Sequence, residues 1–118
     1  MSSAAQAKPV DLDHLARYTG GDAALNAEVL QLFAGQSAEL VAKLHAVLEA
    51  RDLKEWKAIT HSLKGAARGI GAFGFADAAA RAEPVEPAPG NASAIAALQA
   101  LKSEAEIVQR FIEAYLAA

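Results

Sequence analysis

Apolar residues along this chain return at spacings of three and four, the period of helices packed on one side. From Leu53 to Ile70, with about 100° of turn per residue, the residues Leu53, Trp56, Ile59, Leu63, Ala66, Ala67 and Ile70 share one face, which predicts a helix buried along that side. A longer stripe of Leu25, Val29, Leu32, Phe33, Leu40, Leu44, Val47 and Leu48 predicts a principal helix running from an N-cap at Asp22 to about Ala50. Near the C-terminus Leu98, Leu101, Ala105, Val108, Ile112 and Tyr115 form the seam of another long helix, opened by Asn91 or Ser93.

The residues between these stripes say how the helices connect. Asp11 is placed to cap a short first helix, with Val10 and Leu15 as a hydrophobic staple, and Thr19-Gly20-Gly21 ends it. Arg51-Asp52 is too short for more than a tight reversal, so the helix from Leu53 should lie antiparallel to the one before it. Gly69, Gly71 and Gly74 predict a bend, followed by a short helix from Phe75 to Glu83 with alanines on its inner side. Pro84, Pro87, Pro89 and Gly90 cannot continue that helix. The expected architecture is all-α: an antiparallel up-down four-helix bundle with an additional short N-terminal helix. Residues 1–9 read as a disordered tail and residues 10–118 as one helical bundle domain.

Composition narrows the picture. With 118 residues the chain is long enough for one core and too short for two ordinary domains. Charged residues make up 21% and aromatics 6%, and alanine is the commonest residue, a balance suited to closely packed helices. There is no cysteine, hence no disulfide and no thiolate metal site. Met1 to Val10 lacks the apolar core of a signal peptide, and no apolar run approaches membrane-spanning length. A cytoplasmic, soluble monomer with no membrane contact is expected. The net charge of −3 argues against nucleic-acid binding by phosphate neutralisation. Arg51, Lys54, Lys57, Lys64 and Arg68 nevertheless outnumber the acids Asp52 and Glu55 in one segment, which places a basic patch on an acidic body and suits an acidic protein partner.

The candidate chemistry lies inside that patch. On the helical wheel Lys57, His61, Lys64 and Arg68 form a narrow stripe about 140° from the apolar face, with Lys54 beside it. His61 therefore points to solvent within a row of cations. Gly65 sits at i+4 from His61 in the helix interior, where glycine costs about 1 kcal/mol relative to alanine, and it leaves clearance beside the imidazole for a bulky group. Cations with clearance suit an incoming phosphoryl group. An imidazole attacks phosphorus through an unprotonated nitrogen, and Lys64 and Lys57 are placed to offset charge on the phosphoryl oxygens. His14 and His45 fall on the polar faces of their helices with nothing comparable around them and read as plain surface residues. The three histidines lie on three different helices without His-x-x-x-His pairing, so no metal site is expected. No phosphate-cradling loop or acidic magnesium cluster marks ATP binding.

The run His-x-Leu-Lys-Gly-Ala-Ala-x-x-Ile-Gly-Ala, from His61 to Ala72, resembles the signature of histidine-containing phosphotransfer (HPt) domains, the carriers of multistep two-component phosphorelays. The order of helices and the Gly20-Gly21-Asp22 turn extend the likeness from about Val10 to the C-terminus. The resemblance implies a phosphorelay intermediate and not an enzyme: His61 would accept a phosphoryl group from a receiver-domain aspartate and pass it to another receiver. It implies response-regulator receiver domains and a hybrid histidine kinase as partners. No cofactor is then needed on this chain, since the receiver supplies aspartate and magnesium. Lys64 belongs to the motif, whereas Arg68 is supported by geometry alone. Glu83 falls where such domains carry Glu or Gln, able to accept a hydrogen bond from the imidazole N–H, and an ordinary last-turn surface acid is the other reading. The partner is expected on the face formed by the long helix and the histidine helix. A non-catalytic helical adaptor is the rival reading. A hydrolase with His61 as general base would need an enclosed pocket and a nucleophile, which an exposed helix face does not offer.

Overall fold

The computed structural model describes residues 8–118, so residues 1–7 of the expected tail lie outside the described part. Five helices follow in order: α1 Leu12–Thr19, α2 Ala23–Glu49, α3 Leu53–Ile70, α4 Phe73–Ala82 and α5 Ala92–Ala117. Each of α2 to α5 packs on its two neighbours, α2 on α3 and α5, α4 on α3 and α5, with no diagonal pairing, which is the four-helix bundle. The short α1 packs on α2 and α3.

Local chemistry sets most of the boundaries. Asp11, Asp22, Asp52 and Asn91 are N-caps whose side-chain oxygens accept from the backbone N–H groups of His14 (3.1 Å), Leu25 (3.0 Å), Glu55 (3.1 Å) and Ser93 (3.1 Å). Such caps are each worth about 1 kcal/mol. Val10 and Leu15 are both buried, as a staple requires. The α2–α3 reversal closes with Arg51 N–H donating to the Leu48 carbonyl and Asp52 N–H to the Val47 carbonyl, and it places Arg51 at φ 57°, a left-handed position usually taken by glycine.

Several expectations are corrected. The short helix begins at Phe73 instead of Phe75 and ends at Ala82, with Glu83 as its C-cap. Of the three clustered glycines only Gly71 makes the turn, at φ 84°; Gly69 belongs to α3 and Gly74 to the first turn of α4. Glu104 of α5 lies over Gly74, and α4 has no side-chain N-cap of its own, so its start depends on tertiary packing. On α2 the buried line runs through Leu30, Phe33, Ser37, Val41, Leu44 and Leu48, while Leu25 and Leu32 are exposed. On α3 Leu53 and Ala66 are exposed and Thr60 is buried. The wheel drew these faces too wide, because α1 covers only one end of α2 and α3 and along the rest each is held between two neighbours, which bury a narrower arc.

The core locks α3 to α4. Trp56 is fully buried and its indole N–H donates to the carbonyl of Ala82 (2.9 Å), while Thr60 donates back to the Trp56 carbonyl (2.9 Å). At the corner between the two helices the Asp11 N–H donates to the Gly71 carbonyl (2.9 Å), which ties the start of α1 to the α3–α4 junction. A Cβ on Gly71 would come within 2.6 Å of the Asp11 carbonyl oxygen, so both φ and space demand glycine there. The far end of α1 is held by a buried hydrogen bond from the Thr19 hydroxyl to the Asn26 side-chain oxygen on α2.

Candidate functional site

His61 stands near the middle of α3, on the side away from the core, with 71% of its side chain exposed. Its Nδ1 lies 3.3 Å from Oε2 of Glu83. The other carboxylate oxygen of Glu83, Oε1, accepts from Lys64 Nζ at 2.7 Å, the length of a charge-assisted hydrogen bond. One carboxylate from the end of α4 thus bridges two side chains one turn apart on α3. Glu83 arrives there because it directly follows Ala82, whose carbonyl is held by the Trp56 indole.

The electrostatics follow from this geometry. The hydrogen bond from Lys64 is the largest influence on Glu83 and holds its carboxyl below the usual glutamate range; partial burial opposes it, and the charges of Lys64 and His61 add to the lowering. Glu83 is therefore an anion at neutral pH. An anionic acceptor facing Nδ1 favours the tautomer with its proton on that nitrogen, leaving the Nε2 lone pair directed outward.

The remaining candidates share the surface with no hydrogen bond or ion pair to the imidazole among the described residues. A Cβ placed on Gly65 meets nothing within 4 Å, so the space beside His61 is open. Lys57 and Arg68 are exposed and make no ion pair among the described residues. Lys64 differs from them, with only 21% of its side chain exposed and its ammonium committed to Glu83. Geometry therefore brings His61, Lys64 and Glu83 together and leaves Lys57, Arg68 and Gly65 as the open surround.

One histidine is placed differently from expectation. His14 is half-buried, edge-on to the rings of Phe73 (centroids 5.1 Å apart) and Tyr18 (5.8 Å), because α1 lies against the α3–α4 corner. His45 is exposed as expected. Among the described residues no group of three or more His, Cys, Asp or Glu side chains converges to hold a metal ion. Sequence reasoning did not foresee the role of Trp56 in positioning Glu83. The available signal was an indole on the apolar stripe, which needs an acceptor once buried.

No curated protein and no solved structure matches the chain significantly. A family model described as the Hpt domain matches residues 28–113. The match starts inside α2 and leaves out α1, a narrower span than the likeness from Val10 suggests, yet it takes in all of α3 and α4 with His61, Lys64 and Glu83. Matched over well more than half its length, this helical bundle belongs to the Hpt domain family, the histidine phosphotransfer modules of two-component phosphorelays, which carry phosphoryl groups and are not kinases.

Proposed function

We propose that this protein is a phosphorelay intermediate in which His61 accepts a phosphoryl group from a receiver-domain aspartate and returns it to the aspartate of another receiver. The observation that carries this reading is the carboxylate of Glu83 facing Nδ1 of a His61 side chain that is 71% exposed, with open space over Gly65 one turn on. In the forward step the Nε2 lone pair attacks the phosphorus of the aspartyl phosphate in line. The N–P bond forms as the P–O bond to the aspartate breaks, and the aspartate leaves as a carboxylate. The imidazolium that results keeps its proton on Nδ1, against the Glu83 anion, which offsets its positive charge. In the return step the second aspartate attacks the same phosphorus and His61 leaves as the neutral ring.

Lys64 is near enough to shift from Glu83 to a phosphoryl oxygen, and Lys57 and Arg68 rim the approach. The receiver supplies the aspartate and its magnesium, so no cofactor is assigned to this chain. Response-regulator receivers and a hybrid histidine kinase are the partners that fit. A pure adaptor has no use for a carboxylate on Nδ1 or for a glycine inside a helix beside the ring, so these features favour the carrier over the adaptor.

Incubation with a phosphorylated receiver should label the protein with an acid-labile, base-stable phosphate. His61→Gln should abolish the label while leaving helicity unchanged. Undiminished labelling of that variant would sink the proposal.

A further inference from the structure

The face expected to meet a partner has a second edge, and it is charged oppositely to the first. Gly69 and Ile70 of α3 line one shallow apolar pocket with Leu25 and Val29 of α2. Since α2 and α3 are antiparallel, the chain eight residues back on α3, about 12 Å along its axis, brings His61 level with the part of α2 from Leu32 to Gln36. That part of α2 is a groove lined by Glu28, Gln31, Leu32, Gly35, Gln36 and Glu39. Leu32, at its centre, is 62% exposed, an unusual exposure for a leucine at mid-helix. Glu28 and Glu39 are exposed and make no ion pair among the described residues, as is true of Lys57 and Arg68 across the face. The one cation on this stretch of α2 is Lys43, a turn beyond Glu39.

Resting on the phosphocarrier reading above, we infer that Glu28, Leu32 and Glu39 form a specificity-determining docking edge that takes basic side chains of the receiver flanking an apolar contact on Leu32. The partner surface is then bipolar. Its acidic side, around the reacting aspartate, lies over Lys57 and Arg68 of α3, and a basic side lies over α2. Opposite charges on the two edges fix which way round the partner sits, because a half-turn about the His61 axis would set like charges against each other on both edges. Leu32 between the edges supplies the apolar contact of a transient complex.

The test uses the full chain, with His61 charged chemically by phosphoramidate, a small donor that needs no docking surface. Transfer of the label is then timed to the purified receiver domains of the same genome. Glu28→Lys with Glu39→Lys should take up the label like the wild type, keep its helicity, and slow transfer to the best receiver by tenfold or more. Glu106→Lys with Glu113→Lys, which makes the same change of net charge in the groove these residues line with Ala38, Val41 and Ala42 on the α5 side of α2, should leave transfer within twofold of wild type. The inference is overturned if the α2 pair also transfers within twofold, or if the α5 pair slows transfer as much, since net charge and not an edge would then be responsible. Failure of His61 to take up phosphoramidate label at all would instead overturn the phosphocarrier reading, and this inference with it.

Discussion

Glu83 answers to two neighbours at once, and its value to each depends on its charge. Its carboxyl titrates below the ordinary glutamate value, so the folded state holds the anion more firmly than the unfolded chain does. The stability it contributes is complete above the unfolded value of about 4.3 and is lost as the pH falls below it through the folded value. Glu83→Gln should therefore lose little at neutral pH, since the bridge to Lys64 is partly exposed, and should flatten the acid limb of the stability curve measured by urea unfolding from pH 7 down to pH 3. An unchanged acid limb would show that the Lys64 bridge does not hold in solution. His61, Lys64 and Gly65 were legible in the sequence because their relation is periodic within one helix: spacings of three and four put them on one surface. The contact with Glu83 was not, since it depends on the axial register of α4 against α3, and a wheel drawn for either helix alone carries no such information. The resemblance supplied the position of Glu83 and the imidazole as one partner; the fold supplied the second, Lys64.

The register is a matter of elements, and Trp56 sets it. An indole N–H buried from solvent and bound to the carbonyl of Ala82 fixes the end of α4 at one height on α3. Trp56→Phe keeps an aromatic body in the core and deletes the donor, leaving a buried carbonyl unpaired at a cost of about 1–3 kcal/mol. Thermal unfolding should show that loss, and amide exchange should quicken at Ala79 to Glu83 before it does elsewhere. Exchange that rises evenly over all helices would mean that the bond adds stability without clamping α4. The other helix boundaries were readable where their signals are local: the Asp and Asn caps and Gly20 stand within a turn of the ends they make. The start of α4 was not readable, because Gly74 looks like a breaker in sequence, and the residue that lies over it in the fold is Glu104 of α5, thirty residues on. The breadth of the α2 stripe misled for a related reason. Leu25 and Leu32 are apolar at helical spacing, so pattern alone assigns them to the core, while the bundle leaves them on the surface where α2 meets solvent beside α3.

For the whole molecule the arrangement of charge outweighs its sum. A chain with net charge −3 carries three cations without an ion pair among the described residues, Lys54, Lys57 and Arg68, on the same helix face as His61, so an acidic receiver is attracted locally by a protein it should be repelled by on average. These groups are exposed, and their field reaches about 8 Å at physiological ionic strength and about 3 Å in 1 M salt. Transfer from a phosphorylated receiver should thus slow on the order of tenfold as salt rises across that range, within the span that electrostatic steering gives to association rates. Lys57→Glu with Arg68→Glu should lower the rate at low salt and flatten its salt dependence, while leaving the chemical labelling of His61 intact. Lys64 is a poor choice for this experiment: its reversal would also set a second carboxylate against Glu83 and disturb the imidazole, mixing steering with chemistry. Stopped-flow transfer kinetics over a salt series, for wild type and the double variant, separate the two. Steering predicts curves that converge at high salt, where screening has removed the contribution of the rim. Parallel curves would mean that Lys57 and Arg68 act within the docked complex, at a distance too short for salt to reach.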